Sequence, residues 1–476
     1  MRRTKIICTV GPATEATDRL EALIDAGMDV ARLNFSHGEY STHQEVFKRL
    51  RQISADRHKP IAILQDLCGP KIRLGKLPEP GLNLEAGEIA TFVLKEEGDS
   101  INNLPLPIPA LFAMVRKGDR LLINDGRVKL IVSDRDADTI RAIVKIGGPI
   151  SSRKGVNVPD TRLPVTSVTE KDLMDLRFGI QIGVDLVAVS FVRTAADLEP
   201  VQRMIEAASA KILVIAKIEK KEAIEGFDEI LKVADGIMIA RGDMGVELPI
   251  EQVPLIQKDI IRRCNRAGKP VIVATQMLES MITASDPTRA EATDVANSIL
   301  DGTDAVMLSG ETAVGQYPVQ AVETMHKIAT HTEQALSEGV LRLASTEAGS
   351  LSVTEAVAES VCRVAYDIGA KVILCNTSSG GTAKLVSKYR PNSPIIAFTP
   401  EETTYRQLAL SWGVQPCLIP DVHTTEEMFV TVIDMAVKMG LVEVGEKVVI
   451  TSGVPVGTPG GTSLIKVHKI GQQIVA

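Results

Sequence analysis

The strongest constraint on the fold is a repeated alternation of short apolar runs and amphipathic helical patterns. Eight strand-like runs precede residue 310, at 6–10, 30–34, 61–66, 186–190, 212–216, 236–240, 271–274 and 305–308. Helical patterns such as 18–26 and 253–267 lie between most of them. Short apolar runs bounded by turn signals are typical of parallel strands that are buried on both faces. Eight such strands alternating with helices predict a (β/α)₈ TIM barrel of the α/β class.

The alternation is interrupted once, after the third run. Residues 72–162 are rich in Gly, Pro and short alternating runs, such as 120–124 and 139–145, which favours an inserted all-β domain, expected as a small β-barrel. Residues near 315–345 form a long helical pattern that leads out of the barrel. The predicted domains are the barrel (1–71 and 163–345), the insertion (72–162) and a C-terminal domain (346–476).

A new alternation of strand-like runs and helical patterns begins after about residue 346. Its strand-like runs lie at 372–375, 395–398, 415–419, 447–451 and 464–467. This pattern predicts a smaller α/β domain with an open sheet.

Composition limits the classes of function. The 476 residues are enough for roughly two to four domains. A net charge of −7 argues against a nucleic-acid partner, and no apolar stretch is long enough to cross a membrane. The six cysteines contain no Cys-x-x-Cys pair, so reduced thiols and a cytoplasmic location are expected.

Two carboxylates follow successive strand-like runs, and a lysine stands beside the first. Glu219 comes after the run 212–216 and Asp243 after the run 236–240, while Lys217 directly follows the first run. Strand C-termini meet at the same end of a barrel, so these groups are expected at one mouth. Oxygen ligands of this kind suit Mg²⁺ or Mn²⁺, and a metal beside a lysine is a charge pattern for phosphoryl transfer. The alternative is a pair of solvated loop acids and a lysine that reaches the surface.

Two further positions are interpreted from local chemistry. Arg32 lies within the end of the second run, where a charge needs a partner, which is either a substrate phosphate or a structural carboxylate. Gly242 lets a ligand approach its backbone, and residues 242–245 could open a short helix with free N–H groups. An ordinary strand-to-helix turn is the alternative.

Six ordered segments resemble those of the pyruvate kinase family. They are RLNFSHG (32–38), GPKIR (69–73), IMIARGDMGVE (237–247), ATQMLESM (274–281), PTRAE (287–291) and MLSGETA (307–313). The resemblance extends over essentially the whole chain. It implies a homotetrameric glycolytic enzyme that transfers the phosphoryl group of phosphoenolpyruvate to ADP, giving pyruvate and ATP.

The resemblance also implies roles for individual residues. Mg²⁺ or Mn²⁺ would bind Glu219 and Asp243. The substrate-binding set would be Arg32, Lys217, Gly242, Asp243 and Thr275. Lys217 and Arg32 would neutralise the transferring group, and Thr275, Ser309 and Glu311 would order water where the enolate is protonated. The nucleotide would contact Arg73, Lys154 and Asn34.

One departure from the family pattern concerns a monovalent cation. Many members carry Thr and Glu where this chain has Leu67 and Lys71. The side chain of Leu67 cannot coordinate K⁺, and Lys71 supplies a covalent positive charge instead. Asn34, Ser36 and Asp66 would remain as a vestigial cation pocket. The hypothesis is that K⁺ is not required; the alternative is that Lys71 only faces solvent at the domain hinge.

A second departure lies in the C-terminal domain. Thr377, Ser379 and Thr382 lie in a loop whose hydroxyls and glycines suit a phosphorylated effector, but the arginine that many members carry there is missing. The opposite wall, 452–462, lacks basic residues. A phosphorylated sugar or a nucleotide monophosphate is expected as the effector.

Two rival functions are compatible with parts of the pattern. A metal-dependent barrel lyase or aldolase acting on pyruvate-like acids would use the same carboxylates, but it would not need Arg73, Lys154 and the insertion 72–162. A catalytically silent metabolite-sensing protein would not need Lys217, Glu219 and Asp243 together.

Overall fold

The computed structural model describes residues 2–164, 166–336, 351–455 and 461–473. The boundary predicted between residues 345 and 346 and the central part of the wall 452–462 lie outside these ranges. The other predicted bounds, 71/72 and 162/163, fall in connections between regular helices and strands and stay predictions.

The first barrel segment contains three strands and two helices. They are β1 (Lys5–Val10), α1 (Thr17–Ala26), β2 (Val30–Asn34), α2 (Tyr40–Asp56) and β3 (Ala62–Asp66). The apolar face of α1, which includes Leu20, Leu23 and Ile24, packs on the strands. The polypeptide leaves β3 through Gly69, whose φ is +67°, a conformation that glycine adopts readily.

The inserted domain follows and is almost entirely β. Its elements are β4 (Leu82–Leu84), β5 (Ile89–Val93), β6 (Leu104–Pro105), α3 (Pro109–Met114), β7 (Arg120–Ile123), β8 (Val128–Arg135), β9 (Thr139–Ile146), β10 (Gly148–Ile150) and β11 (Val156–Asn157). The described strands form a six-stranded sheet in the order β11-β7-β8-β9-β5-β6 and a two-stranded sheet of β10 and β4. Burial alternates along β8 and β9, so one face of the sheet covers an aliphatic core. The pairs between described strands do not close the larger sheet into a ring.

The second barrel segment supplies the remaining five strands. Its elements are α4 (Glu170–Ile182), β12 (Leu186–Val192), α5 (Glu199–Ala207), β13 (Leu213–Ile218), α6 (Lys221–Glu225), α7 (Phe227–Val233), β14 (Gly236–Ala240), α8 (Arg241–Glu247), α9 (Val253–Ala267), β15 (Val271–Ala274), α10 (Arg289–Leu300), β16 (Ala305–Leu308), α11 (Gly310–Ala313) and α12 (Pro318–Ala335). Helices α4 and α10 begin with capping boxes at Thr169 and Thr288.

The eight parallel strands close into a barrel in the order β1-β16-β15-β14-β13-β12-β3-β2. This confirms the predicted (β/α)₈ architecture. Side chains such as Ile7, Ile215 and Met238 fill the interior, so the barrel is a packed core. Ala409 and Leu410 of the C-terminal domain pack against this inner cluster. The C-terminal domain lies at the amino ends of the barrel strands. The carboxyl ends of all eight strands therefore lie at the other mouth of the barrel.

The C-terminal domain is an α/β sheet with helices on both faces. Its elements are α13 (Val353–Asp367), β17 (Val372–Asn376), α14 (Gly381–Lys388), β18 (Ile395–Thr399), α15 (Glu402–Gln407), β19 (Val414–Leu418), α16 (Thr425–Lys438), β20 (Lys447–Ser452) and β21 (Leu464–Lys469). The strand order is β19-β18-β17-β20-β21, and among these described strands only the β20–β21 pair is antiparallel. The open sheet is confirmed.

None of the helices in the described ranges is both long enough and apolar enough to cross a membrane.

Candidate active site

Polar side chains from several strand ends line a small cavity at the carboxyl mouth of the barrel. This mouth cavity has a volume of about 80 Å³ and is lined by Arg32, Asn34, Ser36, Asp66, Lys71, Ser190, Phe191, Lys217, Glu219, Met238, Ala240, Asp243, Ala274, Thr275 and Met307. Most residues predicted to bind substrate, metal or a monovalent cation are thus brought together by the barrel.

Lys217 is the centre of the charge network in the mouth cavity. Its Nζ donates to Ser190 Oγ at 2.7 Å and lies 3.2 Å from Asp66 Oδ1 and 3.0 Å from Glu219 Oε1. Burial alone would lower the pKa of Lys217, but the attraction of Asp66 and Glu219 outweighs it and raises the pKa. The side chain is 12% exposed, so a fixed ammonium ion faces the cavity.

Arg32 shares one of these carboxylates. Its Nε donates to Asp66 Oδ2 at 2.7 Å, and its Nη1 donates to Thr9 Oγ1 at 2.9 Å. Burial would raise the pKa of Asp66, yet the charges of Lys217 and Arg32 hold it below its usual value. The sequence left open whether the partner of Arg32 is a substrate phosphate or a structural carboxylate. The structure shows a carboxylate partner, Asp66, and Arg32 also lines the cavity.

Glu219 and Asp243 place carboxylate groups on the same cavity. Glu219 Oε2 accepts from the backbone N–H of Phe191 at 2.9 Å, whereas Oε1 has no hydrogen bond of good geometry although Lys217 lies close to it. Burial, together with the charge of Asp243 and against the pull of Lys217, raises the pKa of Glu219. A buried carboxylate with one orphaned oxygen beside a second carboxylate is a donor set that fits a small divalent cation.

Within the described residues, no group of three or more His, Cys, Asp and Glu side chains is arranged to hold a metal. Two protein carboxylates are nevertheless sufficient for Mg²⁺, which usually keeps several positions for water and substrate oxygens. The arrangement therefore suits a metal that is shared between protein and substrate.

The turn between β14 and α8 is fixed by Arg241 and Thr275. Arg241 donates from Nη1 to both oxygens of Asp294 at 2.7 and 2.6 Å and from Nη2 to the carbonyl oxygen of Thr275 at 2.9 Å. The N–H of Gly242 donates to Thr275 Oγ1 at 2.7 Å. Thr275 and Gln276 both have positive φ values, 68° and 56°, a strain that recurs at functional sites. The sequence suggested that residues 242–245 open a short helix, and these residues lie in helix α8 (Arg241–Glu247).

Sequence reasoning missed the two residues that hold this network together. The register between β12 and β13 shifts between Val189 and Val192, so Ser190 and Phe191 form an irregular strand end. Ser190 is 2% exposed and donates to the carbonyl oxygen of Leu67 at 2.6 Å while accepting from Lys217. Phe191 has a φ of 56° and binds Glu219 through its N–H. A serine that interrupts an apolar run at a strand end was the available signal.

Most residues of the predicted vestigial cation pocket line one cavity. Asn34, Ser36, Asp66 and Lys71 line the mouth cavity, and Lys71 Nζ lies 3.5 Å from Ser36 Oγ. Leu67 is 2% exposed and buried in the barrel core. Lys71 is exposed but reaches the cavity, so its ammonium group can add positive charge there.

A larger cleft of about 520 Å³ separates the barrel mouth from the inserted domain. This domain cleft is lined by Arg73 and Lys154, both predicted to bind nucleotide, and by Asp243. Arg73 pairs with Gly155 through an isolated β-bridge and donates from Nη1 to the carbonyl oxygen of Arg153 at 3.0 Å. Asn34 lines the mouth cavity instead of the domain cleft.

Ser309 and Glu311 are not among the residues that line either cavity. Glu311 is 2% exposed, and its carboxylate accepts from the N–H groups of Ser309 at 2.7 Å and Leu278 at 3.1 Å. Burial raises its pKa despite these hydrogen bonds. Ser309 Oγ is buried, without a partner among the described residues. Glu311 thus fixes the loops that follow β15 and β16.

The predicted effector loop forms a polar turn between β17 and α14. Thr377 Oγ1 accepts from the N–H of Gly380 at 3.0 Å, and Thr462 Oγ1 donates to Thr382 Oγ1 at 3.0 Å. Thr377 and Thr382 are buried, whereas Ser379 is exposed. The loop 377–382 contains no basic residue.

Comparisons with known proteins show which family the chain resembles over most of its length. A family model described as "Pyruvate kinase, barrel domain" matches residues 1–322, and one described as "Pyruvate kinase, alpha/beta domain" matches residues 355–468. A pyruvate kinase of Geobacillus stearothermophilus is 47% identical over 98% of this chain and 80% of the relative. One from Staphylococcus aureus strain MRSA252 is 44% identical over 100% of this chain and 81% of the relative.

A solved structure gives the same result. The crystal structure of a pyruvate kinase from Cryptosporidium parvum has a TM-score of 0.90 and 36% identity, covering 98% of this chain and 96% of that one.

The barrel, its inserted domain and the charged mouth define a phosphotransferase. The chain belongs to the pyruvate kinase family. The reaction of the family transfers the phosphoryl group of phosphoenolpyruvate to ADP, giving pyruvate and ATP in glycolysis, and it normally uses a divalent metal. The barrel lyase or aldolase and the catalytically silent sensor are therefore set aside.

Proposed function

We propose that this chain transfers the phosphoryl group with Lys217 as the principal charge on the transferring group. The observation that carries the proposal is the placement of the Lys217 ammonium group between Asp66, Glu219 and Ser190 at the barrel mouth. Because this charge is fixed before substrate arrives, it can stabilise charge in the transition state without reorganisation. Arg32, held by the other oxygen of Asp66, adds a second donor to the same group.

Glu219 and Asp243 would hold Mg²⁺ or Mn²⁺, the metals that their oxygen donors suit. Such a metal, when bound, acts as a Lewis acid that offsets charge on substrate oxygens. Gly242 and Thr275 form the adjoining wall, where we place the carboxylate of phosphoenolpyruvate. The hydrogen bond between the Gly242 N–H and Thr275 Oγ1 would open to receive it.

The nucleotide would occupy the domain cleft. Arg73 and Lys154 face this cleft with two positive charges that suit the phosphates of ADP. Asn34 lies nearer the mouth cavity, where it would meet the terminal phosphate. Closure of the inserted domain would exclude water, which competes with ADP as phosphoryl acceptor.

Protonation of the enolate requires ordered water on the side of Thr275. Ser309 Oγ has no partner in the described residues and would hydrogen-bond to such water. Glu311 would position Ser309, because it accepts the N–H of that residue. Thr275 would contact the substrate directly, since it lines the mouth cavity.

K⁺ would be dispensable for this chain. Asp66 belongs to the vestigial pocket, and each of its carboxylate oxygens already contacts a cation. Arg32 lies at Oδ2 and Lys217 at Oδ1. Lys71 brings a further covalent charge to Ser36, and Leu67 offers no side-chain ligand. An added monovalent cation would therefore be repelled by charges that the protein supplies itself.

Assembly and regulation complete the proposal. We expect a cytoplasmic homotetramer whose phosphorylated effector binds the loop that contains Thr377, Ser379 and Thr382. The loop offers hydroxyl and backbone N–H donors, which can hold a phosphate without a basic side chain.

The metal assignment is tested by comparing Glu219→Ala and Asp243→Ala with Asp286→Ala, which removes an exposed carboxylate after β15. Mn²⁺ binding, measured from the electron paramagnetic resonance of free Mn²⁺, should weaken at least about tenfold in the first two variants, because each loses one of two protein ligands. The Asp286→Ala control should bind as the wild type does. Unchanged binding in both site variants would contradict the assignment.

A further inference from the structure

Glu247, the last residue of α8, carries a buried carboxylate that joins three parts of the molecule. Its side chain is 4% exposed, and its Oε1 accepts from Lys220 Nζ. The same Oε1 accepts from Asn157 Nδ2 of strand β11 in the inserted domain at 3.1 Å. A buried charge with two donors is a strongly held contact, and removing either donor leaves it short of a partner.

The partners of Glu247 connect it to both proposed metal ligands. Lys220 directly follows Glu219 in the chain, and Glu247 lies four residues after Asp243 in the same helix. Residues four apart share one face of a helix. The Lys220–Glu247 ion pair therefore adds a side-chain link between the two chain segments that carry Glu219 and Asp243, beyond the ends of the paired strands β13 and β14.

Asn157 brings the inserted domain into this link. The inserted domain also approaches α8 at Gly126, since a Cβ added to this glycine would lie 3.5 Å from the side chain of Val246. By contrast, Arg162 approaches Glu222 and Glu225 only at 3.8 Å, and its side chain is 78% exposed. Of these contacts, only those with Val246 and Glu247 reach helix α8.

We propose that Glu247 is a positioning residue that couples closure of the inserted domain to the spacing of the two metal ligands. When the inserted domain is closed onto the barrel, Asn157 and Lys220 both donate to the Glu247 carboxylate. These contacts hold α8 against the chain segment that carries Glu219. When the domain opens, the Asn157 bond is lost and α8 is held less firmly. This inference rests on the proposed function, in which Glu219 and Asp243 bind the metal, and it requires that domain closure and metal affinity favour each other.

The test measures binding of Mn²⁺ alone, without substrate or turnover, by the electron paramagnetic resonance of the free ion. Asn157→Ala should weaken Mn²⁺ binding about fivefold, since it removes one hydrogen bond to a charged group. Glu247→Ala should weaken it about tenfold or more, and the double variant should bind no more weakly than Glu247→Ala, because Asn157 acts only through Glu247. Arg162→Gln, which removes a contact of the inserted domain away from α8, should stay within about twofold of the wild type.

Two further variants make the result decisive. Glu247→Gln keeps an oxygen that can accept from Asn157 and should bind Mn²⁺ more tightly than Glu247→Ala does.

Asp243→Ala tests the metal site itself: wild-type binding in that variant would overturn the proposed function. If Asp243→Ala loses Mn²⁺ while Asn157→Ala binds as the wild type does, the metal site stands and the coupling through Glu247 is wrong. Asn157→Ala lies outside the barrel core, so it keeps the test valid even if Glu247→Ala does not fold.

Discussion

The barrel mouth and the C-terminal loop 377–382 are both expected to bind phosphate, but they contain different kinds of polar group. In the mouth, Lys217 and Arg32 are fixed cations, and each is held by Asp66. In the loop, the polar groups are hydroxyl and backbone N–H groups such as those of Thr377 and Gly380, which hydrogen-bond to each other. One region carries its own positive charge; the other carries only dipoles.

The difference follows from what each region has to do. A transferring phosphoryl group changes its charge distribution during the reaction, so cations fixed in place by carboxylates contribute to rate. A regulatory phosphate only has to bind one state better than another, and dipoles are sufficient for a modest difference in affinity. We therefore expect substitutions in the mouth to change turnover and substitutions in the loop to change the response to effector.

The largest effect is expected from Lys217→Met. Loss of one preorganised donor costs roughly 10²–10³ in rate, and a full charge costs more, so turnover should fall by about three powers of ten or more. Binding of phosphoenolpyruvate should change much less, because Arg32 remains. A coupled assay with lactate dehydrogenase and a separate substrate-binding titration measure the two quantities. Turnover above about a tenth of the wild-type value would remove the assigned role.

A smaller effect is expected from Ser190→Ala, which removes the hydroxyl group that accepts from Lys217 Nζ. The lysine keeps its charge and its two carboxylates but loses one contact that fixes its position, so kcat should fall about tenfold with little change in KM. Ser54→Ala is the matched control, since Ser54 is a buried barrel serine that donates to the carbonyl oxygen of Lys59 at 2.6 Å, away from the mouth. Equal kinetics in the two variants would show that Ser190 does not position Lys217.

In the C-terminal loop, Thr382→Val should leave turnover without effector unchanged and reduce the effector response. Phosphoenolpyruvate saturation of the wild type should be sigmoidal, and phosphorylated sugars or nucleotide monophosphates should make it more hyperbolic. The shift in half-saturation should shrink at least about fivefold in the variant, which is the scale of a typical coupling between sites. Thr332→Val, in helix α12, is the control. A monomer in light scattering, or no response of the wild type to a panel of such metabolites, would contradict the assignment.

The smallest effect concerns stability in the C-terminal domain. The hydrogen bond from Lys388 and those from Ser352 lower the pKa of Glu355 to about 2. Because the folded pKa lies below the unfolded one, Glu355 stabilises the fold above about pH 5 and loses this contribution as the pH falls toward about 2. Its side chain is 28% exposed, so the contribution is on the order of 1 kcal/mol after solvent screening.

Glu355→Gln isolates this charge, since glutamine preserves the capping box at the start of α13. The variant should unfold at a lower temperature than the wild type at pH 7, and the difference should narrow between pH 5 and pH 3. A difference in unfolding temperature that stays constant with pH would show that the charge of Glu355 is not involved.

The barrel was predictable because its signals are local. Strands Val30–Asn34, Gly236–Ala240, Val271–Ala274 and Ala305–Leu308 have the predicted bounds. The last three are uninterrupted runs of buried residues. Two strands continue two residues beyond their predicted ends, to Val192 and Ile218. Polar residues at those ends, Ser190 and Lys217, look like turn signals in sequence although they remain in the strand.

The candidate site was predictable only in part. Lys217 lies near the end of β13, and Glu219 and Asp243 come shortly after the ends of β13 and β14, so the topology of the barrel places them together. The contacts of Ser190 and Glu247 depend on packing between distant segments: Ser190 meets Lys217 across 27 positions, and Asn157 meets Glu247 across 90. A single sequence carries no local mark of such pairs. Glu311 was expected to help order water where the enolate is protonated, which stays a prediction; its hydrogen bonds with the backbone N–H groups of Ser309 and Leu278 could not be predicted from a local pattern.

The central claim is that the barrel mouth supplies its own positive charge, and omission of K⁺ tests it most directly. Turnover would be measured in tetramethylammonium buffer at fixed ionic strength, with and without K⁺, so that general salt effects cancel. We predict that K⁺ stimulates the wild type less than about twofold, whereas Lys71→Glu has lower activity that K⁺ partly restores. Stimulation of the wild type by about tenfold or more would contradict the claim, because it would mean that a bound cation, and not Lys71, completes the charge at the mouth.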